Sequence, residues 1–122
     1  MISKIARASI LAFVFTAAAC NVAAARTIYD GSWTLTIVTQ RGPCDSSYNF
    51  SGIQITNGIV THPNLVKFRG RVTSGGAVRV SVSVGEKFAA GSGRLSRTAG
   101  RGHWAGRSGR DRCSGSWTAQ RY

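Results

Sequence analysis

Acidic residues are scarce in this chain of 122: Asp30, Asp45, Glu86 and Asp111 stand against 16 lysines and arginines. Histidine occurs twice, as His62 and His103. Catalysis needs titratable groups that converge, and each acid here sits in or beside a turn. Paired carboxylates, HExxH, GxSxG and phosphate-loop patterns are all missing. These absences disfavour an enzyme and leave no catalytic residue or cofactor to assign. Cysteine is also sparse, with Cys20, Cys44 and Cys113, and no CxxC occurs. Neither histidine has ligand spacing to a cysteine, so no metal site is expected.

Long apolar runs are missing too, apart from Ala8 to Ala19 near the start. That run of 12 residues is too short to cross roughly 30 Å of hydrocarbon at about 1.5 Å per residue. No membrane span is therefore expected. Lys4 and Arg7 precede the run, and Ala23, Ala24 and Ala25 follow it as a small-residue cleavage pattern. Residues 1–25 read as a signal peptide and residues 26–122 as a single β domain. Ala17 to Ala19 with Cys20 form a rival lipoprotein-like box that lacks the usual Leu. The plainer reading of Cys20 is an apolar signal-peptide residue.

Cleavage after Ala25 leaves Cys44 and Cys113, an even pair in an oxidising compartment, and a disulfide is the default expectation. It also leaves 14 basic residues, 12 of them Arg, against the 4 acids, a net charge of +10. Such a field attracts polyanions. GC-rich codons also enrich Arg, Ala and Gly, so charge alone raises a binding role only modestly.

From Ser32 onward the apolar residues recur with a period of two, which predicts strands. Trp33, Leu35 and Ile37 form the inward face of the first, which stops at Gly42 and Pro43. Tyr48 and Phe50 share one parity and Ile53 and Ile55 the other, so a bulge is expected near Ser51 and Gly52. Asn57-Gly58 predicts a type I′ hairpin that sets Ile55 opposite Val60 and Ile53 opposite His62. A turn at Ser74 to Gly76 places Arg71 opposite Arg79, Arg69 opposite Ser81 and Lys67 opposite Ser83, all outward. Gly91 and Gly93 then fall opposite Val80 and Val78, small against large as a tightly curved sheet requires. Trp104 marks a further strand, and a basic loop from Arg107 to Arg112 leads into the last, Cys113 to Arg121.

The pattern gives an all-β fold of seven or eight short strands. A small antiparallel up-and-down barrel is favoured, with a β-sandwich as the alternative. The cysteines favour closure. Cys44 follows the first strand and Cys113 opens the last, so a disulfide between them would fasten the terminal strands of a barrel.

GSWT occurs twice, at Gly31 to Thr34 and Gly115 to Thr118. Trp33, Trp104 and Trp117 read first as core filling where the sheet closes. The alternative is an aromatic at the barrel mouth that stacks on a sugar or base beside Arg101, Arg107 or Arg110. Gly31, Trp33 and Arg121 resemble the signature of the calycin barrels, lipocalins and avidin among them. That resemblance implies an arginine packed over the tryptophan at the closed end. The GSW opening followed by a Cys is also similar to small barrel inhibitors of bacterial metalloproteases, whose disulfide is local in sequence. More of the chain resembles a group of small exported proteins of rhizobium-like alphaproteobacteria, through GSWTLTIVTQRGPC, ITNG, RGRV, SGGAVRVSVSV, GSGRLS and CSGSWTAQR. This implies export and one β domain, and no activity.

The expected function is a periplasmic or secreted, non-enzymatic, monomeric binding module. Its partner would be an anionic polysaccharide or lipopolysaccharide, with nucleic acid disfavoured. Lys67, Arg69, Arg71 and Arg79 would form the binding stripe, with Arg101 and Arg107 as further contacts. Two alternatives stand beside it: a barrel holding a small apolar ligand, and a periplasmic protease inhibitor acting through Arg26 to Gly31.

Overall fold

A computed structural model describes residues 26–122, apart from the side chain of Val66. The signal-peptide segment and Cys20 lie outside the described residues.

Period-two patterning produces eight strands: β1 (Gly31–Arg41), β2 (Ser47–Thr56), β3 (Ile59–His62), β4 (Leu65–Val72), β5 (Ala77–Val84), β6 (Lys87–Leu95), β7 (Ala99–Ser108) and β8 (Asp111–Arg121). Each pairs antiparallel with the next, and β8 returns to pair with β1, closing an up-and-down barrel. No helix occurs among the described residues. The fold is therefore the barrel and not the sandwich. Closure leaves no unpaired edge to template association with another chain.

The bulge is real. Trp33 pairs with Ile53 and Leu35 with Phe50, so Ser51 and Gly52 together oppose Thr34. Gly52 takes a φ of 80°, accessible to glycine without a Cβ penalty. Asn57 and Gly58 both have positive φ, 53° and 78°, as a type I′ turn requires. On β4 and β5 the register matches the sequence reading from Phe68↔Val82 to Val72↔Val78, with Arg71 opposite Arg79. Val80 faces Gly91 and Val78 faces Gly93.

Two expectations need correction. His62 is not opposite Ile53, because β2–β3 pairing ends at Gln54↔Thr61. The ring instead bridges the bulge and the β3–β4 turn: Nδ1 accepts the Asn64 N–H at 3.1 Å, so Nε2 carries the proton and donates to Ser51 O at 2.8 Å. Nor is Arg107 to Arg112 a loop. β7 continues to Ser108 and β8 begins at Asp111, joined through Gly109 and Arg110, with Arg107 opposite Arg112. Gly109, at φ 61°, makes that tight reversal possible.

The core is built on Trp33 and Phe68, the two most buried large side chains. All three tryptophans are buried. Trp117 explains the inward glycines, since a Cβ on Gly93 or Gly102 would stand 2.6 Å from its indole. The ring occupies the space those glycines leave. Cys44 and Cys113 form the disulfide, with Cα atoms 6.1 Å apart. It ties the β1–β2 connection to the start of β8, beside the last β1–β8 pair, Arg41↔Ser114.

Candidate functional site

Arginines concentrate on the outer wall of β4–β7. On β4, Arg71 faces Arg79 of β5. Arg79 faces Ser92 of β6, and Arg94, two residues further along β6, faces Arg101 of β7. Directly opposed Cβ atoms lie about 5 Å apart and diagonal neighbours about 7–8 Å. Four exposed arginines therefore share one patch, with Arg69 and His103 on its flanks. No acidic residue occurs in β4, β5, β6 or β7. The four acids sit at the barrel ends, before β1, in the β1–β2 and β5–β6 connections and at the first residue of β8. The wall is thus uncompensated along its length.

Of the residues expected to bind, Arg69, Arg71, Arg79 and Arg101 come together here. Lys67 lies one residue beyond the β4–β5 pairs. Arg107 lies at the same far end of the barrel, opposite Phe88 and Arg112. Arg94 was missing from the expected set. Its signal was its outward parity on β6 and its place opposite Ala77, which follows from Val78 facing Gly93. Arg94 is also anchored, donating from Nη1 to Gly75 O at 3.3 Å.

The two ends of the barrel differ. At the end bearing residues 26–30 and the Asn57–Gly58 turn, Tyr29 is buried and its carbonyl accepts the Trp33 indole N–H at 2.9 Å. The Arg121 guanidinium stands over the Trp33 ring, 5.8 Å from its centroid, a cation–π distance. It donates to Ile28 O at 2.8 Å, to Arg97 O at 3.1 Å and to Asp30 O. The Asp30 carboxylate accepts from Asn57 N at 2.7 Å, Gly58 N at 3.1 Å and the Thr27 hydroxyl at 2.6 Å. Burial pushes its pKa up, but hydrogen bonds from Thr27, Asn57 and Gly58 together outweigh that and hold it below the ordinary carboxylate value. This end is closed by structural contacts.

The other end is open. A pocket of about 220 Å3 lies between Ile37, Phe50, Val82 and Trp104, with Lys87 and Arg107 among its lining. Val84 and Phe88 also line it, yet are 49% and 41% exposed. Beneath it the barrel interior retains a void of about 70 Å3 between the core side chains. Outside the rim, Arg41, Arg107 and Arg112 border a shallow depression with Phe88. The disulfide braces this end.

Among the described residues no group of His, Cys, Asp and Glu is placed to hold a metal ion. No helix among them is long and apolar enough to cross a membrane. Comparison with family models, curated proteins and solved structures returns no match. The functional reading rests on the residues themselves.

Proposed function

We propose that this chain is an exported, non-enzymatic binding module whose outer arginine wall engages an anionic envelope or extracellular polysaccharide, lipopolysaccharide included. One observation carries the reading: the opposed pairs Arg71/Arg79 and Arg94/Arg101 form a continuous patch on four strands that contain no acid. Like charges directly opposite one another destabilise a sheet. An anionic polymer lying across the wall relieves that repulsion and gains charge-assisted hydrogen bonds from the guanidinium forks. Export is supported by the leader pattern of residues 1–25 and by a disulfide that suits an oxidising compartment.

The test is retention on immobilised heparin and on lipopolysaccharide, with elution by salt. Arg71→Ser with Arg79→Ser, and separately Arg94→Ser with Arg101→Ser, should each shift elution to lower salt. Unchanged elution in both double variants would remove the wall as the binding face.

The alternatives fare less well on geometry. A void of about 70 Å3 is small beside the roughly 300–1,000 Å3 of ordinary ligand pockets, so the core of the barrel offers little room for a wholly apolar ligand. The segment proposed to enter a protease cleft is packed at the closed end through Tyr29, Asp30 and the Arg121 contacts. Projecting it would break that packing.

A further inference from the structure

The barrel is a cup closed at one end and open at the other, and its open end carries features the outer wall does not explain. Five apolar residues, Ile37, Phe50, Val82, Ala89 and Trp104, form much of the wall of the 220 Å3 pocket. Ile37, Val82, Ala89 and Trp104 also line the void beneath, so the pocket continues toward the core. A dry apolar cavity of roughly 150 Å3 is enough to hold benzene. The volume therefore suits one aromatic ring or a short alkyl chain. Both charged residues in the lining are cationic: Lys87 shares the inward parity of Ala89 and pairs with Val84 at the rim, while Arg107 belongs to the outward parity of β7. Glu86 and Asp111 belong to the same end of the barrel, in the β5–β6 turn and at the start of β8, but neither lines the pocket. Val84, on the inward parity of Val82, is left half in water at the rim, where an occupant would cover it.

We propose that this mouth is a binding site for a small amphipathic organic anion, a ring or short chain bearing one carboxylate or sulfonate. The apolar part lies against Val82 and Trp104, and the anionic head sits at Lys87. An apolar body alone would leave Lys87 without a partner at the rim. A strongly hydrated polyanion would leave the apolar wall wet. The amphipathic anion satisfies both surfaces.

The experiment titrates the oxidised mature protein with octanoate and with 1-octanol, following tryptophan fluorescence and heat. Octanoate should bind saturably at one site and about tenfold more tightly than octanol, the effect of one charge-assisted contact. Lys87→Ser, at an exposed position that does not threaten folding, should bring the two ligands to equal affinity. Val82→Trp, which fills the pocket, should abolish binding of both. Arg71→Ser with Arg79→Ser should leave octanoate binding unchanged, so loss of the polyanion reading would not touch this one. Absence of saturable octanoate binding by the wild-type protein would overturn the site. So would equal affinity for the two ligands in the wild type, or equal weakening by the Arg71/Arg79 variant.

Discussion

Arg94 stands directly opposite Arg101 across the β6–β7 pair. Two further pairs repeat the arrangement, Arg71 with Arg79 and Arg107 with Arg112. A sheet selected for stability alone would place opposite charges there. Binding and stability should therefore respond in opposite directions to the same substitution. Arg101→Glu replaces repulsion by a cross-strand ion pair and should stabilise the barrel by about 0.5 kcal/mol. It should also move elution from heparin to lower salt. Urea unfolding at low ionic strength and heparin chromatography on the same preparation check both halves, and a variant that loses stability and binding together would contradict the account.

The disulfide should be a major part of the stability. It closes a loop of 69 residues, for which chain-entropy reasoning gives about 4 kcal/mol. Small domains have a net stability of only about 5–15 kcal/mol. Cys44→Ser with Cys113→Ser should lower the urea midpoint by the corresponding amount, and reduction of the wild type should match it. Because the bond braces the open end, octanoate binding should weaken in the reduced protein at urea concentrations where heparin retention survives.

How much of this was legible in the sequence depended on whether a feature needed one hairpin or the whole circuit. The Arg71–Arg79 pairing followed from period-two alternation on both sides of a short glycine turn, a local inference. The bulge followed from the parity switch between Phe50 and Ile53. Arg94 was harder, because its neighbours become visible only when the β5–β6 and β6–β7 registers are drawn together. Arg107 to Arg112 read as a loop because its glycine and arginine content matches loop composition, while the two-residue reversal at Gly109 and Arg110 leaves both flanks in strands. The pocket was not legible at all. Its wall takes Ile37 from β1, Phe50 from β2, Val82 from β5 and Trp104 from β7, and only closure of the barrel makes these neighbours.

Asp30 should make the acid limb of stability steeper. Its carboxyl titrates lower in the folded protein than its ordinary value of 3.8. Stability from such a group is complete above the unfolded pKa and is lost as pH falls through the folded one. The loss therefore falls below about pH 4. Asp30→Ala should cost about 1 kcal/mol at neutral pH, since the Asn57 and Gly58 amides and the Thr27 hydroxyl lose their acceptor, and it should flatten the decline in acid. Urea unfolding of the two proteins across that range measures the difference.

Arg121 tests whether the closed end is held by charge or by geometry. One guanidinium lies over Trp33 and donates to the carbonyls of Ile28, Asp30 and Arg97, so it joins the N-terminal segment, the β6–β7 turn and the core. A lysine keeps the charge, but its compact ammonium lacks the planar fork that serves several carbonyls while stacking on the indole. Arg121→Lys should therefore cost about 2 kcal/mol although the net charge is unchanged. The loss should be local before it is global, with residues 26–30 becoming sensitive to a protease while the barrel stays folded. If charge alone mattered, the lysine variant would match the wild type in both urea midpoint and protease resistance. Gly31 gives a second handle on the same contact, because a Cβ there would stand 3.0 Å from the Arg121 guanidinium. Its φ of 140° also disfavours any side chain, so Gly31→Ala should expose the same segment with Arg121 intact, through backbone strain together with displacement of the guanidinium.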